Sequence, residues 1–202
     1  KASRHSIILA KSGPAKKYGI QTGEPLFQAL EKCPDLMVAP PDYGLYVEAS
    51  RHFVQMLRQF SPMVQQYSID EAFLDLSGMG TSEQLTDYCK KMVRYISKGT
   101  GIPISLGIAP TKTLAKIASK YAKKHKGYEG VCLIDTDEKR EKALKLFPIE
   151  DVWGIGYRSV DKLAYHGIKT AWDLTQKSES WIRPEITVTG VRTWKELRGE
   201  SC

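Results

Sequence analysis

The sequence lacks long hydrophobic runs, closely spaced cysteines and internal repeats. No apolar stretch approaches the roughly 20 residues that span a bilayer, so we expect no membrane association. The apolar run at residues 7–10 is shorter than the core of a signal peptide, which needs about seven residues or more. The four cysteines form no CxxC pair, which disfavours a thiolate metal site and predicts reduced thiols in a cytoplasmic protein.

Acidic residues are outnumbered by basic ones. The chain has 30 Lys and Arg against 23 Asp and Glu, a net charge of +7 and a pI near 9.1. This surplus favours a polyanionic partner, although many basic proteins bind no nucleic acid. With 202 residues and 42% hydrophobic content, the chain can form one large domain or two or three small ones.

Hydrophobic periodicity predicts an α+β fold with a mixed sheet and helices on one face. The strands at 63–68 and 71–77 are expected to form a hairpin. After residue 148 the pattern predicts only short helices joined by glycine-containing turns. Further helices are predicted at 25–32, 45–60, 85–97 and 111–127, and further strands at 5–10, 37–40, 102–110 and 130–135.

Two adjacent carboxylates, Asp70 and Glu71, interrupt the strand-like stretch QQYSIDEAFLDLS. Burying an uncompensated charge costs several kcal/mol, so such groups are usually solvated, paired or bound to a cation. One interpretation is a solvent-facing turn, and the other is half of a Mg²⁺ site, because Mg²⁺ takes one or two carboxylates and shares substrate phosphates. A two-ion site would need a third acid, for which Asp75 is the nearest candidate in sequence, weakened by its strand position.

A lysine-rich helix follows the strand at 102–110. Its apolar residues are expected to pack inward and its lysines to form a basic face. That face is either simply solvated or binds phosphate groups, which would relieve the repulsion between its charges. The five lysines are Lys112, Lys116, Lys120, Lys123 and Lys124.

Two glycine-containing segments are also candidates for anion binding. The turn VWGIG, with Gly154 and Gly156, resembles a helix-hairpin-helix turn, whose exposed N–H groups hold a DNA phosphate without reading sequence. A plain interhelical turn is the alternative, and Arg158 just after it favours the phosphate interpretation. The segment AKSGPAKKYG, with Lys16, could approach a nucleotide closely or be a solvated loop.

In order, the segments YSIDEAFLDLSG, GIAPTKTLAKIASKYAKK, VWGIGYRSVDKLAYHGIKT and ELRGESC resemble Y-family translesion DNA polymerases of the UmuC type, with ImpB, MucB and SamB relatives. The resemblance implies small fingers at 1–44, a palm at 45–147 and an all-helical thumb at 148–202. It also implies Mg²⁺-dependent nucleotidyl transfer from a dNTP to a primer 3′-hydroxyl, used in damage bypass and SOS-type repair.

The resemblance assigns roles to individual residues. Asp70 becomes a metal ligand, and Glu71 lies close to the primer 3′-hydroxyl and shares the catalytic metal site. Lys16 and Lys123 occupy positions that contact the incoming triphosphate. The implied partners are primer–template DNA and dNTP, with a sliding clamp and damage-response accessory proteins binding through regions absent here.

The residues predicted to contact DNA lie in the thumb turn, which the resemblance implies, and beside it and on the basic helix, where the charge pattern predicts phosphate contacts. They are Gly154, Ile155, Gly156, Arg158 and Lys112.

The chain also departs from the family pattern. It carries no D-x-x-x-F/Y-x-A-S segment, which supplies an acid and the aromatic steric gate, and no little-finger domain. Ala10 and Gly13 stand where many relatives have Thr and Tyr, so we expect fewer side-chain contacts with the nucleotide there. Together with Ser12 they would leave room over the template base. We therefore expect an incomplete polymerase core that is inactive alone.

Three functions remain open at this point. The first is a template-directed DNA polymerase. The second is a non-catalytic module that binds the DNA backbone, in which the acids are incidental. The third is a different metal-dependent phosphotransferase, such as a nuclease.

Overall fold

The computed structural model describes Ser3 and residues 5–202 and divides them between two compact units, Lys1–Glu48 and Ala49–Cys202. Its mixture of helices and short strands confirms the α+β class, whereas the predicted limits of fingers, palm and thumb stay predictions. The helices are α1 (Gly13–Lys17), α2 (Leu26–Lys32), α3 (Tyr43–Leu57), α4 (Ser82–Thr100), α5 (Lys112–Lys124), α6 (Asp137–Lys145), α7 (Tyr157–Tyr165), α8 (Ala171–Thr175), α9 (Glu179–Glu185) and α10 (Val188–Leu197). The strands are β1 (Val64–Gln66), β2 (Ala72–Leu74), β3 (Leu106–Ile108) and β4 (Val131–Leu133).

The first unit contains α1, α2 and the start of α3. Ser12 caps α1, because its side chain accepts a hydrogen bond from the backbone N–H of Ala15. Ile20 and Ala29 are buried, and Lys32 pairs with Glu24 at 2.6 Å. These contacts order a small unit that buries few side chains.

In the second unit, α4 packs with the end of α3 and the neighbouring strands around a small core. Its buried side chains include Met92 and Ile96 of α4 and Leu57 of α3. The side chain of Thr81 and that of Gln84 cap the first turn of α4 reciprocally. This core supports the antiparallel pair β1–β2, whose register sets Gln65 opposite Phe73.

The β3–α5–β4 segment is a parallel crossover unit, with Leu106 opposite Val131. Thr111 caps α5, and Leu114 and Ile117 on its inner face are buried, as the sequence predicts. The lysines are left on the other face of the helix.

The helices after residue 148 share one core with α5, β4 and α6, which contains Leu144, Leu163 and Leu197. The backbone carbonyl of Glu196 in α10 accepts a hydrogen bond from Thr111 Oγ1 at 2.9 Å. The N-terminal end of α5 is therefore fixed directly to α10.

Several predicted elements differ from the structure. Residues 5–10 form a single bridge between Ile7 and Pro25 in place of a strand, because the N–H groups of Ser6 and Glu24, which would extend the ladder, donate to Ser3 and Gln21 within their own segments. Residues 37–40 form no strand, and Pro40 and Pro41 lack the N–H groups that a ladder needs. Helix α6 was not predicted; Thr136 caps it.

The mixed sheet is also divided. Within Ser3 and residues 5–202, β1 pairs only with β2 and β3 only with β4. Periodicity in the sequence reports which side chains face a core, but it does not report which strand edges are joined.

Among the helices that the structure describes, not one has the length and apolar content needed to cross a membrane.

Candidate functional site

The β1–β2 hairpin carries Asp70 and Glu71 in its exposed connection, which confirms the predicted position of both acids at a bend. The backbone N–H groups of Tyr67 and Ser68 donate to the carbonyl of Glu71 at 3.0 and 3.1 Å. Ser68 Oγ lies 3.0 Å from Asp70 Oδ1 and 3.5 Å from Glu71 Oε2. A single hydroxyl is therefore within hydrogen-bond reach of both carboxylates.

Lys116 of α5 pairs with one of these acids. Its Nζ lies 2.8 Å from Glu71 Oε1, and the lysine side chain is only 17% exposed. Partial burial reduces solvent screening of this pair. No lysine or arginine in the described part of the chain forms a salt bridge with Asp70, so its carboxylate is the freer of the two.

The close packing of α5 on β3 brings Lys116 to the hairpin. Gly107 in β3 has no side chain, and a Cβ there would lie 2.0 Å from the carbonyl oxygen of Ala115. Only glycine permits this approach of helix to strand. The position of the basic face thus depends on a residue that carries no charge.

Two further lysines on α5 already have partners within the protein. Lys112 donates to Gln65 Oε1 at 2.6 Å, and Lys120 donates to the backbone carbonyl of Asp151 at 3.1 Å. These bonds stabilise two of the ammonium groups without phosphate, so repulsion between the lysines gives less support to phosphate binding by the predicted basic face. Two ammonium groups, those of Lys112 and Lys116, lie beside the hairpin.

The predicted triphosphate ligands are both exposed lysines. Lys123 lies in the last turn of α5, seven residues after Lys116 and so about 10 Å further along nearly the same face. Lys16 lies in the last turn of α1, in the first unit.

Asp75 is not part of the acidic pair. It follows the far end of β2, about 13 Å of strand from Glu71. Hydrogen bonds from the Ser77 side chain and backbone lower the pKa of the Asp75 carboxyl, and the backbone bond is 2.9 Å long. The suggestion that Asp75 supplies a third metal ligand is therefore wrong, because the strand carries it away from the tip.

The donor set at the hairpin tip fits one part of a hard-cation site. Asp70, Glu71 and the Ser68 hydroxyl provide oxygen atoms at an exposed bend, and Mg²⁺ needs few protein ligands because it retains waters. Across Ser3 and residues 5–202, however, no three His, Cys, Asp or Glu side chains come together as a metal site.

The turn at Gly154–Ile155–Gly156 leads into α7. Gly154 has φ +87°, and a Cβ there would lie 2.2 Å from Thr193 Oγ1, so both conformation and space require glycine. Ile155 is buried, which anchors the turn to the core. Gly156 is the N-cap of α7 and has no side chain to cap the first N–H groups, so these remain available to an external acceptor.

Arg158 lies in the first turn of α7 and is exposed. Its Nε donates to the hydroxyl of Tyr157 at 3.2 Å, and its guanidinium lies over the Tyr157 ring. Both side chains are therefore displayed beside the open N-terminal end of the helix.

Sequence reasoning missed the aromatic residues that join this turn to the hairpin. Trp153 Nε1 donates to the hydroxyl of Tyr67 at 2.9 Å, and Phe73 packs against both rings. The available signal was a tryptophan immediately before the glycine turn, but its partner lies 86 residues away.

Comparison with known proteins gives consistent results. The family model described as the impB/mucB/samB family matches residues 1–120. Protein UmuC of Salmonella typhimurium is 40% identical over 100% of this chain and 48% of its own length. DNA polymerase IV of Clostridium acetobutylicum is 33% identical over 98% of this chain and 48% of its own length. The chain thus spans about half the length of the curated relatives it matches.

Solved structures share the fold. The insertion ternary complex of Dbh DNA polymerase matches with a TM-score of 0.81 at 24% identity, covering 95% of this chain and 55% of that chain. A DinB family error prone DNA polymerase from Sulfolobus solfataricus matches with a TM-score of 0.79 at 23% identity, covering 96% and 58%. At this identity the likeness concerns the fold alone.

Proposed function

We propose that this chain, which belongs to the impB/mucB/samB family, is part of a template-directed DNA polymerase of the Y-family translesion type. The enzyme transfers a nucleotide from a dNTP to a primer 3′-hydroxyl, with release of pyrophosphate, in damage bypass and SOS-type repair. The observation that carries the proposal is the exposed pair Asp70 and Glu71 at one bend, with the Lys116 ammonium beside it.

The proposed metal ligands are Asp70 and Glu71, and the proposed ion is Mg²⁺. When bound, Mg²⁺ neutralises phosphate charge during phosphoryl transfer. Asp70 offers an exposed carboxylate, and Glu71 offers Oε2 while Lys116 holds Oε1. The bend therefore supports the ligand assignment, and catalysis rests mainly on positioning and charge neutralisation.

The proposed nucleotide contacts are Lys123 and Lys16, whose ammonium groups bind the triphosphate. Both are exposed at the ends of helices. Lysine suits this role because its ammonium group is a compact positive charge with three N–H donors that can rotate towards phosphate oxygens.

The proposed DNA contacts are the N–H groups at Gly154–Ile155–Gly156, together with Arg158 and Lys112. The uncapped start of α7 supports a phosphate contact, since helix N-termini attract anions. Such contacts hold the duplex without reading its sequence, as a template-directed enzyme requires.

Further partners are proposed beyond primer–template DNA and dNTP. A sliding clamp and damage-response accessory proteins bind through regions outside this chain. A cytoplasmic location agrees with the four cysteines, which are all free thiols.

Primer extension tests the proposal, using the longest natural protein that contains this sequence. We expect Asp70→Asn to lower extension by about 10²-fold or more, because a preorganised charge is lost from the reacting centre. Asp75→Asn is the matched control and is expected to retain extension, since Asp75 lies at the far end of β2. Normal extension by Asp70→Asn would refute the metal-ligand assignment.

The same assay separates the two alternatives. A non-catalytic DNA-binding module binds primer–template DNA but leaves primer length unchanged, and a nuclease shortens the primer. The 202-residue chain alone is expected to bind DNA without extending primers, because its described residues bring together no third acid.

A further inference from the structure

Three aromatic side chains join the hairpin to the segment before the glycine turn; we call Tyr67, Phe73 and Trp153 the aromatic bridge. The centroid of the Trp153 ring lies 5.3 Å from that of Tyr67 and 5.8 Å from that of Phe73. The indole Nε1–H donates to the Tyr67 hydroxyl at 2.9 Å. The hydrogen bond fixes the orientation of the two rings, beyond simple apolar contact.

The aromatic bridge also holds Lys116. Its Nζ lies 4.8 Å from the Tyr67 ring centroid and 5.2 Å from that of Trp153, within the range of cation–π attraction. The same ammonium group lies 2.8 Å from Glu71 Oε1. Two ring faces and one carboxylate therefore define the position of Lys116, and Trp153 contributes one of them.

The backbone of Trp153 is fixed from the opposite side. Its carbonyl accepts a hydrogen bond from Thr193 Oγ1 at 3.0 Å, and Gly154 packs tightly against the same threonine. Gly154, the next residue, is the first glycine of the proposed DNA-binding turn. Trp153 therefore connects this turn, which it joins through the backbone, with the Lys116–Glu71 pair, which it contacts through its ring.

We propose that Trp153 is a positioning residue, which holds the Lys116 ammonium group against Glu71 and so sets the geometry of the carboxylates at the hairpin tip. This inference rests on the proposed function. It adds that the indole acts through Lys116 and not by contact with substrate. A displaced Lys116 would leave the Glu71 carboxylate free to rotate away from the reacting atoms.

A spectroscopic measurement tests the positioning without any activity. Protons held over aromatic faces resonate upfield, so the side-chain methylene signals of Lys116 are expected upfield of those of exposed Lys124. Removing the indole abolishes its own ring current, so the readout in Trp153→Leu is the remaining ring: nuclear Overhauser contacts between the Lys116 methylene protons and the Tyr67 ring protons should be lost there and kept in Trp172→Leu. Trp172 is the matched control because it also lies beneath two cations, Arg140 and Lys145, but on α8.

Kinetics test the consequence in the longest natural protein that contains the chain. We expect Trp153→Leu to lower the maximal rate of nucleotide incorporation by about ten- to hundredfold, the cost of a misplaced reacting group, with DNA affinity within about twofold. Trp153→Phe keeps a ring but loses the N–H, so its maximal rate of incorporation should fall by a smaller factor. This variant replaces Trp153→Leu in the test if the leucine variant does not fold.

Three results would overturn the inference: Lys116–Tyr67 contacts that persist in Trp153→Leu, a maximal rate that does not fall, or a fall fully explained by weaker DNA binding. If the wild-type protein extends no primer, the proposed function fails and the kinetic consequence fails with it. The Lys116–Tyr67 contacts then still decide whether Trp153 positions the ammonium group.

Discussion

Gly107 of β3 lies so close to helix α5 that a Cβ at this position would come within 2.0 Å of the Ala115 carbonyl oxygen and 2.4 Å of the Ser119 amide nitrogen. Neither backbone atom can move without shifting α5. Since α5 carries Lys112 and Lys116 to the hairpin, this contact links the packing of the core to the candidate site.

We expect Gly107→Ala to lower the free energy of unfolding by about 1–3 kcal/mol, because the added methyl group overpacks the strand–helix contact. Urea denaturation measures this change. Gly127→Ala is the control, since no atom lies within 4 Å of a Cβ at that position, and its effect should stay within about 0.5 kcal/mol. Equal stability of the two variants would contradict the packing argument.

Arg158→Ala should weaken DNA binding by a similar factor on every sequence and reduce the slope of log affinity against log salt by about 1. The reason is the loss of one phosphate contact at the start of α7. Fluorescence anisotropy across a salt series provides the measurement. Arg183, which pairs with Glu179 on α9, offers a control of equal charge, and Arg183→Ala should preserve the slope. An unchanged slope for Arg158→Ala would show that Arg158 makes no contact with a DNA phosphate.

Lys123→Met should raise the KM for dNTP by at least about tenfold, because a charge-assisted contact with the triphosphate is lost. Steady-state kinetics in the longest natural protein measure it. Lys98→Met is the comparison, since Lys98 is likewise exposed in the last turn of a helix, α4. A matching rise in both variants would indicate a general loss of charge.

The buried thiol of Cys89 should resist alkylation in the folded protein. Burial raises its pKa to about 11, so at pH 8 only about one thiol in a thousand is ionised. Peptide mapping after iodoacetamide treatment should find Cys202, which is exposed, modified long before Cys89. Rapid modification of Cys89 without denaturant would show that the core around α4 opens readily.

In acidic solution, Asp173 makes the free energy of unfolding depend on pH. Burial alone would raise the pKa of its carboxyl, but hydrogen bonds from the backbone N–H groups of Lys169 and Thr170 outweigh it and lower the pKa. The folded pKa is therefore below the unfolded one, so this stabilisation is complete above the unfolded pKa, near 4, and declines as pH falls through the folded pKa.

Asp173→Ala should accordingly lower the free energy of unfolding at pH 7 by about 1–2 kcal/mol, the usual cost of losing a helix cap. The difference from wild type should shrink as the pH falls below about 4. Denaturant titrations at several pH values check both points, and a difference that grows with acidity would show that the sign is wrong.

The sequence predicted correctly that the two acids lie at the bend of a hairpin, because the information on their position is local. Asp70 and Glu71 are adjacent, and the apolar residues that flank them define strands on either side. The inward face of α5 was equally visible in its periodicity. The role of Asp75 was misjudged because a neighbour in sequence is not a neighbour in space once a strand extends between them.

Helix α6 was missed for a different reason. Of its nine residues, only Ala143 and Leu144 are apolar, so periodicity gave little signal. Its actual signals were electrostatic: Thr136 as N-cap, Asp137 and Glu138 in the first turn, and lysines in the last.

By itself, the sequence determined the order of most helices, the bend that carries two carboxylates and the glycines of the turn before α7. The tertiary structure determined which residues those groups contact. Lys116 reaches Glu71 across 45 residues of sequence, and Trp153 reaches Tyr67 across 86. Such contacts depend on how closely α5 packs against β3 and Gly154 against Thr193, and no local pattern of residues encodes those distances.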